Sequence, residues 1–218
     1  MGFVEALDRV NAAHPWSHND AFAGFVLRHA RAVRRRGGDT AVDAGCGTGA
    51  LASALSEVFP AVIGIEPDAD AAASAAQRLA GRPVRVEQRR FGAEPEDAYD
   101  LIVFVASLHH MPLRAALQDA RAALRPGGRI VIVGLARETS ADLLRSATSL
   151  LLNPLIGMVR GRSRAAEPPV RAHAPTAPAT QTFDEIRAIA ADVLPDIRMR
   201  RRLFWRYTAH WEAPGRPL

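Results

Sequence analysis

No lysine occurs among the 218 residues, so all 28 basic positions are arginine. That absence excludes Schiff-base chemistry and a Tyr-Lys dehydrogenase couple, both of which need a titratable amine. Cysteine occurs once, as Cys46, which excludes an intrachain disulfide and a cysteine-based metal centre. No His/Cys/Asp/Glu set has ligand-like spacing, so no metal is expected. No stretch reaches the ~18 consecutive apolar residues that a bilayer span requires. The start Met1-Gly2-Phe3-Val4-Glu5 lacks the basic-then-apolar layout of a signal peptide. A cytoplasmic chain with no membrane partner is expected.

Hydrophobic residues make up 48% of the chain, an ordinary share for a globular protein. A chain of this length fits one α/β domain that buries roughly 70% of its unfolded surface. The net charge of +5 is modest, although arginine lifts the pI to about 10.7. The basic residues are scattered, with clusters only at Arg34-Arg35-Arg36 and Arg200-Arg201-Arg202. The first closes a helix, where cations favour the dipole. The second falls in a strand whose alternate residues face solvent. Nucleic acid is therefore not the expected partner.

Short β-rich runs predict strands at 40–44, 61–66, 83–88, 99–105 and 128–134. Helices at about 48–58, 69–80 and 112–124 separate most of them, an alternation that predicts a doubly wound parallel sheet. Helices at 3–12 and 20–36 precede it. Thr182-Phe183-Asp184-Glu185 is a capping box opening a last helix, and 197–202 with 206–211 forms a closing antiparallel hairpin. The expected organisation is a single domain over 1–218. A helical cap occupies 1–38, a cofactor-binding core 39–135, a lid and loop 140–180, and the last helix and hairpin 182–218. Ligands on such sheets bind beyond the carboxyl ends of the strands.

At that rim the sequence reads Val42-Asp43-Ala44-Gly45-Cys46-Gly47-Thr48-Gly49. A strand ends on a carboxylate, and glycines at every second position turn the chain into a helix near Ala50. Glycine lets the backbone approach a ligand where a Cβ would collide, and the helix start offers free N–H groups. The pattern also satisfies the dinucleotide fingerprint, with Glu66 about 20 residues on to bind a ribose. The loop alone therefore leaves NAD and S-adenosylmethionine both open. Asp43 suits the ammonium of an amino-acid-bearing cofactor and would repel a pyrophosphate.

Three further segments follow: Val62-Ile63-Gly64-Ile65-Glu66-Pro67-Asp68, then Tyr99-Asp100-Leu101-Ile102-Val103 running into Ser107-Leu108-His109-His110-Met111, then Leu124-Arg125-Pro126-Gly127-Gly128-Arg129. With the glycine loop they resemble the class I S-adenosylmethionine-dependent methyltransferases, in particular the small-molecule, ubiquinone/menaquinone-biosynthesis-like branch. His14-Pro15-Trp16-Ser17-His18-Asn19-Asp20 resembles a segment of actinobacterial members. The resemblance implies a Rossmann-like fold and S-adenosyl-L-methionine as cofactor, leaving as S-adenosyl-L-homocysteine. It implies a cofactor site at Asp43, Gly45, Cys46, Gly47, Gly49, Glu66, Pro67, Phe91 and Ala106. One departure stands out: Arg89-Arg90-Phe91 occupies the place where the family carries an adenine-binding Asp. Either backbone near Phe91 or the carboxylate of Glu94 takes over that contact.

Methyl transfer is an in-line displacement in which positioning does much of the work. A base is needed only when the acceptor must lose a proton, and histidine suits that task at neutral pH. His110, His109 and His18 are the candidate bases. Trp16, Asn19, Phe22, Met111, Leu151 and Leu155 are expected to line a largely apolar acceptor pocket. His29 and His210 lack supporting context and read as surface or core residues. Ala106-Ser107-Leu108-His109 replaces the Asn/Asp-Pro-Pro-Tyr of enzymes acting on base amines or glutamine amides. The expected activity is methyl transfer to a small aromatic or heterocyclic metabolite in specialised metabolism, at oxygen, nitrogen or carbon. An NAD-dependent oxidoreductase and a non-catalytic cofactor-binding or nucleic-acid-associated module remain as alternatives.

Overall fold

Apolar runs at Thr40–Ala44 (β1), Ala61–Ile65 (β2), Val84–Glu87 (β3) and Tyr99–Val105 (β4) lie side by side as parallel strands, followed by Leu124–Leu135 (β5). The computed structural model describes residues 20–137, 178–202 and 206–215. The expected helix at 3–12, most of the expected lid, and Trp16, His18, Asn19, Leu151 and Leu155 lie outside them.

The seven strands run in the order β3-β2-β1-β4-β5-β7-β6. Arg198–Arg201 (β6) and Arg206–Glu212 (β7) form the antiparallel closing hairpin, with β7 against β5. Helices Asp20–Arg35 (α1), Ala50–Leu55 (α2) and Ala69–Arg78 (α3) cover one face. Leu113–Ala123 (α4) and Phe183–Val193 (α5) cover the other. This is the Rossmann-like doubly wound arrangement, and its strand order reverses between β1 and β4, where such sheets bind ligands. Thr182 and Glu185 form the expected capping box of α5. No helix among the described residues is long and apolar enough to cross a membrane.

The fifth strand departs from expectation: it starts at Leu124, with no turn after α4. Leu124 pairs with Tyr99, but Leu101 pairs with Arg129, so the intervening residues bulge out. Asp100 explains the bulge. Its Oδ2 accepts from Arg125 at 2.8 Å and from the amides of Asp39 and Thr40 at 2.9 Å each. One carboxylate thus ties the beginnings of β1, β4 and β5 together at the end of the sheet opposite the glycine loop.

The outer hairpin is held as tightly. A Cβ at Gly134 would lie 2.2 Å from the ring of Tyr207, its cross-strand partner, so only glycine fits there. Trp211 Nε1 donates to the carbonyl of Pro195 at 2.8 Å, which docks β7 against the end of α5.

Candidate active site

The glycine loop is clipped to the end of β2, with the amides of Gly45 and Cys46 both donating to the carbonyl of Ile65, at 2.8 and 3.0 Å. The three glycines serve different purposes. A Cβ at Gly45 would lie 2.4 Å from that of Ser107, and one at Gly49 would lie 2.7 Å from Leu79. Internal packing already requires glycine at both positions. Gly47 alone, at φ +53°, would place a Cβ in open space above the rim. Cys46 is buried, and its thiol is pushed up to about 12 by burial and then by Asp43 and Glu66. It is no nucleophile at neutral pH.

Asp43, the penultimate residue of β1, has 1% of its surface exposed. Burial raises its carboxyl from the ordinary 3.8 to about 7, against the Ala52 amide that favours the anion, and Glu66 adds to the rise. Its Oδ2 has no hydrogen-bond partner among the described residues. The helix behind the loop is a six-residue stub, and Asp43 already engages one of its amides. The expected free N–H groups are therefore partly spent on the protein's own carboxylate. Glu66, 8% exposed, follows β2 and accepts from the amide of Gly47 at 2.8 Å and that of Asp68 at 3.0 Å. Pro67 is exposed beside it, and Asp68 caps α3 by accepting from Ala71 at 2.9 Å.

Glu94 is not available to a ligand. Its side chain is 0% exposed and accepts from both Nη atoms of Arg89, from Tyr99 Oη and from the amide of Gly92. Burial works to raise its pKa, but these hydrogen bonds outweigh it and hold the carboxyl below its usual range. The Arg89–Glu94–Tyr99 cluster shapes the loop after β3, and Phe91 packs edge-on against Phe104 at 5.1 Å. Of the two expected alternatives, the backbone near Phe91 is the one left open.

After β4, Ala106 adopts φ +53° and donates to the carbonyl of Val133 at 2.8 Å. Ser107 Oγ donates to the carbonyl of Ala44 at 2.5 Å, joining the ends of β4 and β1. The next residues form a single 3₁₀ turn, Leu108–His110. His109 is half-buried and lines a cleft with Leu113, Ile186 and Tyr207, whereas His110 is exposed. Their rings lie 3.9 Å apart. Met111 packs on the α4–α5 core and Phe22 on the α1 side.

One cluster escaped the sequence. His29 of α1 and His210 of β7 stack at 4.5 Å, and Arg129 Nη1 lies 3.0 Å from His29 Nδ1. Arg129 also binds Glu212, which Arg36 reaches from the other side. Burial, then His210, Arg129 and Arg28, lower His29 to about 4. These residues come from three distant parts of the chain, and no local pattern announces them.

The raised carboxyl of Asp43 has a thermodynamic consequence. Between the ordinary carboxylate value and about pH 7 the folded protein keeps a proton that the unfolded chain has released, so stability falls as pH rises through that window. His29 acts in the opposite sense, since its depressed value makes stability rise between about pH 4 and 6.5. Asp43→Asn retains the histidine contribution and loses the other. Urea unfolding of the ligand-free protein from pH 5 to 8 should show a wild-type excess of downward slope that Asp43→Asn lacks. Equal slopes would mean that Asp43 is ionised throughout.

Comparison with known proteins agrees with this geometry. A family model described as a methyltransferase domain matches residues 42–130, from the glycine loop to β5. An uncharacterised methyltransferase of Mycobacterium tuberculosis is 29% identical over 203 residues, covering 92% of this chain and 98% of its own length. A ubiquinone biosynthesis O-methyltransferase of Rhodopseudomonas palustris is 25% identical over 140 residues, 62% of this chain and 55% of that protein. The crystal structure of magnesium protoporphyrin IX methyltransferase from Synechocystis PCC 6803 with bound S-adenosylhomocysteine shares the fold. Its TM-score is 0.57 at 16% identity, over 98% of this chain and 88% of that one. Residues 42–130 thus carry a methyltransferase domain, in a chain that shares the fold of known methyltransferases.

Proposed function

We propose that this chain is a class I S-adenosylmethionine-dependent methyltransferase that acts on a small aromatic or heterocyclic metabolite of specialised metabolism, at an oxygen, nitrogen or carbon atom. The observation that carries the site assignment is the buried Oδ2 of Asp43, which lacks a partner among the described residues beside the open space over Gly47. A carboxylate so placed needs a cation, and the cofactor's amino-acid end has an ammonium. S-adenosylmethionine, when bound, supplies a methyl group on a sulfonium, electrophilic enough for direct displacement.

The remaining assignments follow the rim. Gly45, Cys46, Gly47 and Gly49 shape the bed for the amino-acid half, and Glu66 with Pro67 flanks the ribose. Each Glu66 oxygen already accepts one amide and keeps a lone pair for a hydroxyl. Phe91 and its backbone serve the adenine, and Ala106 lies nearest the reacting end. The relative named for ubiquinone biosynthesis supports an aromatic acceptor, as does the absence of an amine-type motif at 106–109. For acceptors that must lose a proton, His110 takes it, and His109 supports the His110 ring from the cleft.

Glu66→Gln should weaken S-adenosylhomocysteine binding by about 1.5–3 kcal/mol, the scale of hydrogen bonds to charged groups. The new amide nitrogen would also face a backbone N–H. Gly47→Val should abolish binding, since its side chain enters the ligand's space. Calorimetry reads both, with NADH and an oligonucleotide as comparators. Unchanged affinity in the two variants, or NADH binding without a response to S-adenosylhomocysteine, would contradict the assignment.

With an acceptor found by mass-spectrometric screening for the gain of one methyl, His110→Ala should cut turnover by about 10²–10⁴-fold at unchanged cofactor affinity. His109→Ala should have the smaller effect. A loss of only a few-fold in both would mean that proximity alone drives transfer to an acceptor that needs no deprotonation.

A further inference from the structure

A second buried charge at the same rim has no role in the site described above. Arg206 opens β7, and among the described residues its Nε and Nη1 have no hydrogen-bond partner although both are closed off from solvent. Buried guanidinium nitrogens are almost always paired, and an unpaired one is costly to keep. Arg129, an internal arginine of the same sheet, is better answered: its Nη1 lies against His29 and its Nη2 binds Glu212, and only its Nε lacks a partner among the described residues. Burial correspondingly weakens the hold of Arg206 on its proton.

Its position is set by register. Arg206 pairs with Leu135 and Thr208 with Val133, while Ala106 donates to Val133. Arg206 therefore stands at the carboxyl-end rim, two interstrand steps, about 10 Å, from the end of β4. Strand alternation puts Arg206, Thr208 and His210 on one face. The His210 ring stacks on His29 of α1, whereas Tyr207 packs on Phe183 of α5. Arg206 thus faces the α1 side, and Phe22 and Phe25 lie in the α1-side packing layer.

The surroundings select a charge sign. Arg198 and Arg200 stand opposite His210 and Thr208, and Arg202 Nε donates to Thr208 Oγ1 at 2.9 Å. Strands β5, β6 and β7 contain one carboxylate, Glu212, which lies at the far end and is held by Arg36 and Arg129. No acidic side chain of these strands is in a position to answer Arg206. The Arg198-Arg200-Arg202 row adds positive potential along the path to it.

We propose that Arg206 is the anchor for an oxyanion, a carboxylate or phosphate group, carried by the methyl acceptor. The inference rests on the cofactor site assigned above, because that site brings the reacting methyl to the same rim. The guanidinium fork gives such a group two parallel hydrogen bonds, and the distance to β4 is that of a small aromatic acid with its nucleophile at the opposite end. The acceptor class narrows accordingly to aromatic or heterocyclic acids.

The test is calorimetric titration of the full chain with 4-hydroxybenzoate and with its uncharged analogue 4-hydroxybenzamide, with and without saturating S-adenosylhomocysteine. The acid should bind at least about tenfold tighter than the amide. Arg206→Met should bring it to the level of the amide while leaving S-adenosylhomocysteine affinity unchanged. Equal binding of acid and amide by the unmodified protein, or a preference that survives Arg206→Met, would overturn the proposal. Thermal unfolding gives a second reading. Removing an unanswered charge should leave the melting temperature of Arg206→Met equal or higher, whereas Arg129→Met should melt lower. A fall in Arg206→Met as large as that of Arg129→Met would make Arg206 structural and also overturn it. Failure of S-adenosylhomocysteine to bind would count against the cofactor assignment instead, because the acid–amide difference is read without it as well.

Discussion

A carboxylate buried near the end of β1, with no cation beside it among the described residues, is the constraint around which this molecule is organised. Asp43 sits between β2 and β4 at the point where strand order reverses. Left alone, it holds its proton up to about pH 7. Placed against an ammonium, the same group becomes an ion pair shielded from water, where attraction is far stronger than at the surface. The ligand-free state is thus kept less stable than it could be. On the proposed assignment, the lost stability returns as affinity for a ligand that carries a positive charge to that spot.

The rest of the rim holds this carboxylate and its surroundings still. Ser107 joins the ends of β1 and β4, and Ile65 clips two loop amides. The Arg89–Glu94–Tyr99 cluster shapes the loop after β3 from behind. At the opposite end of the sheet, Asp100 gathers the beginnings of three strands. Backbone groups of the proposed site are therefore held in place in advance, which would lower the ordering cost of binding.

Much of this was legible in the sequence because it is local. The glycine loop, the carboxylate after β2 and the capping box of α5 each lie within a few residues, and strand–helix alternation gives the sheet. Legibility ended where the reason for a residue lies far along the chain. Gly45 and Gly49 read as loop glycines, and only the fold shows that Ser107 and Leu79 also require them. Glu94 looked available for adenine until Arg89 and Tyr99 closed around it. His29 and His210 looked isolated, 181 positions apart in number but in ring contact across α1 and β7. The bulge that starts β5 at Leu124 depends on Asp100, a strand away. Arg206 reads as one arginine among 28, and only strand register places it at the rim.

The central claim is that a ligand ammonium ionises Asp43. Calorimetric binding of S-adenosylhomocysteine in buffers of different ionisation enthalpy counts the protons exchanged. At pH 6, where the empty site holds its proton, wild-type protein should release close to one proton per ligand bound. At pH 8 the release should vanish, and Asp43→Asn should release none at either pH. Proton-neutral binding by the wild type at pH 6, or a release unchanged in Asp43→Asn, would contradict the account.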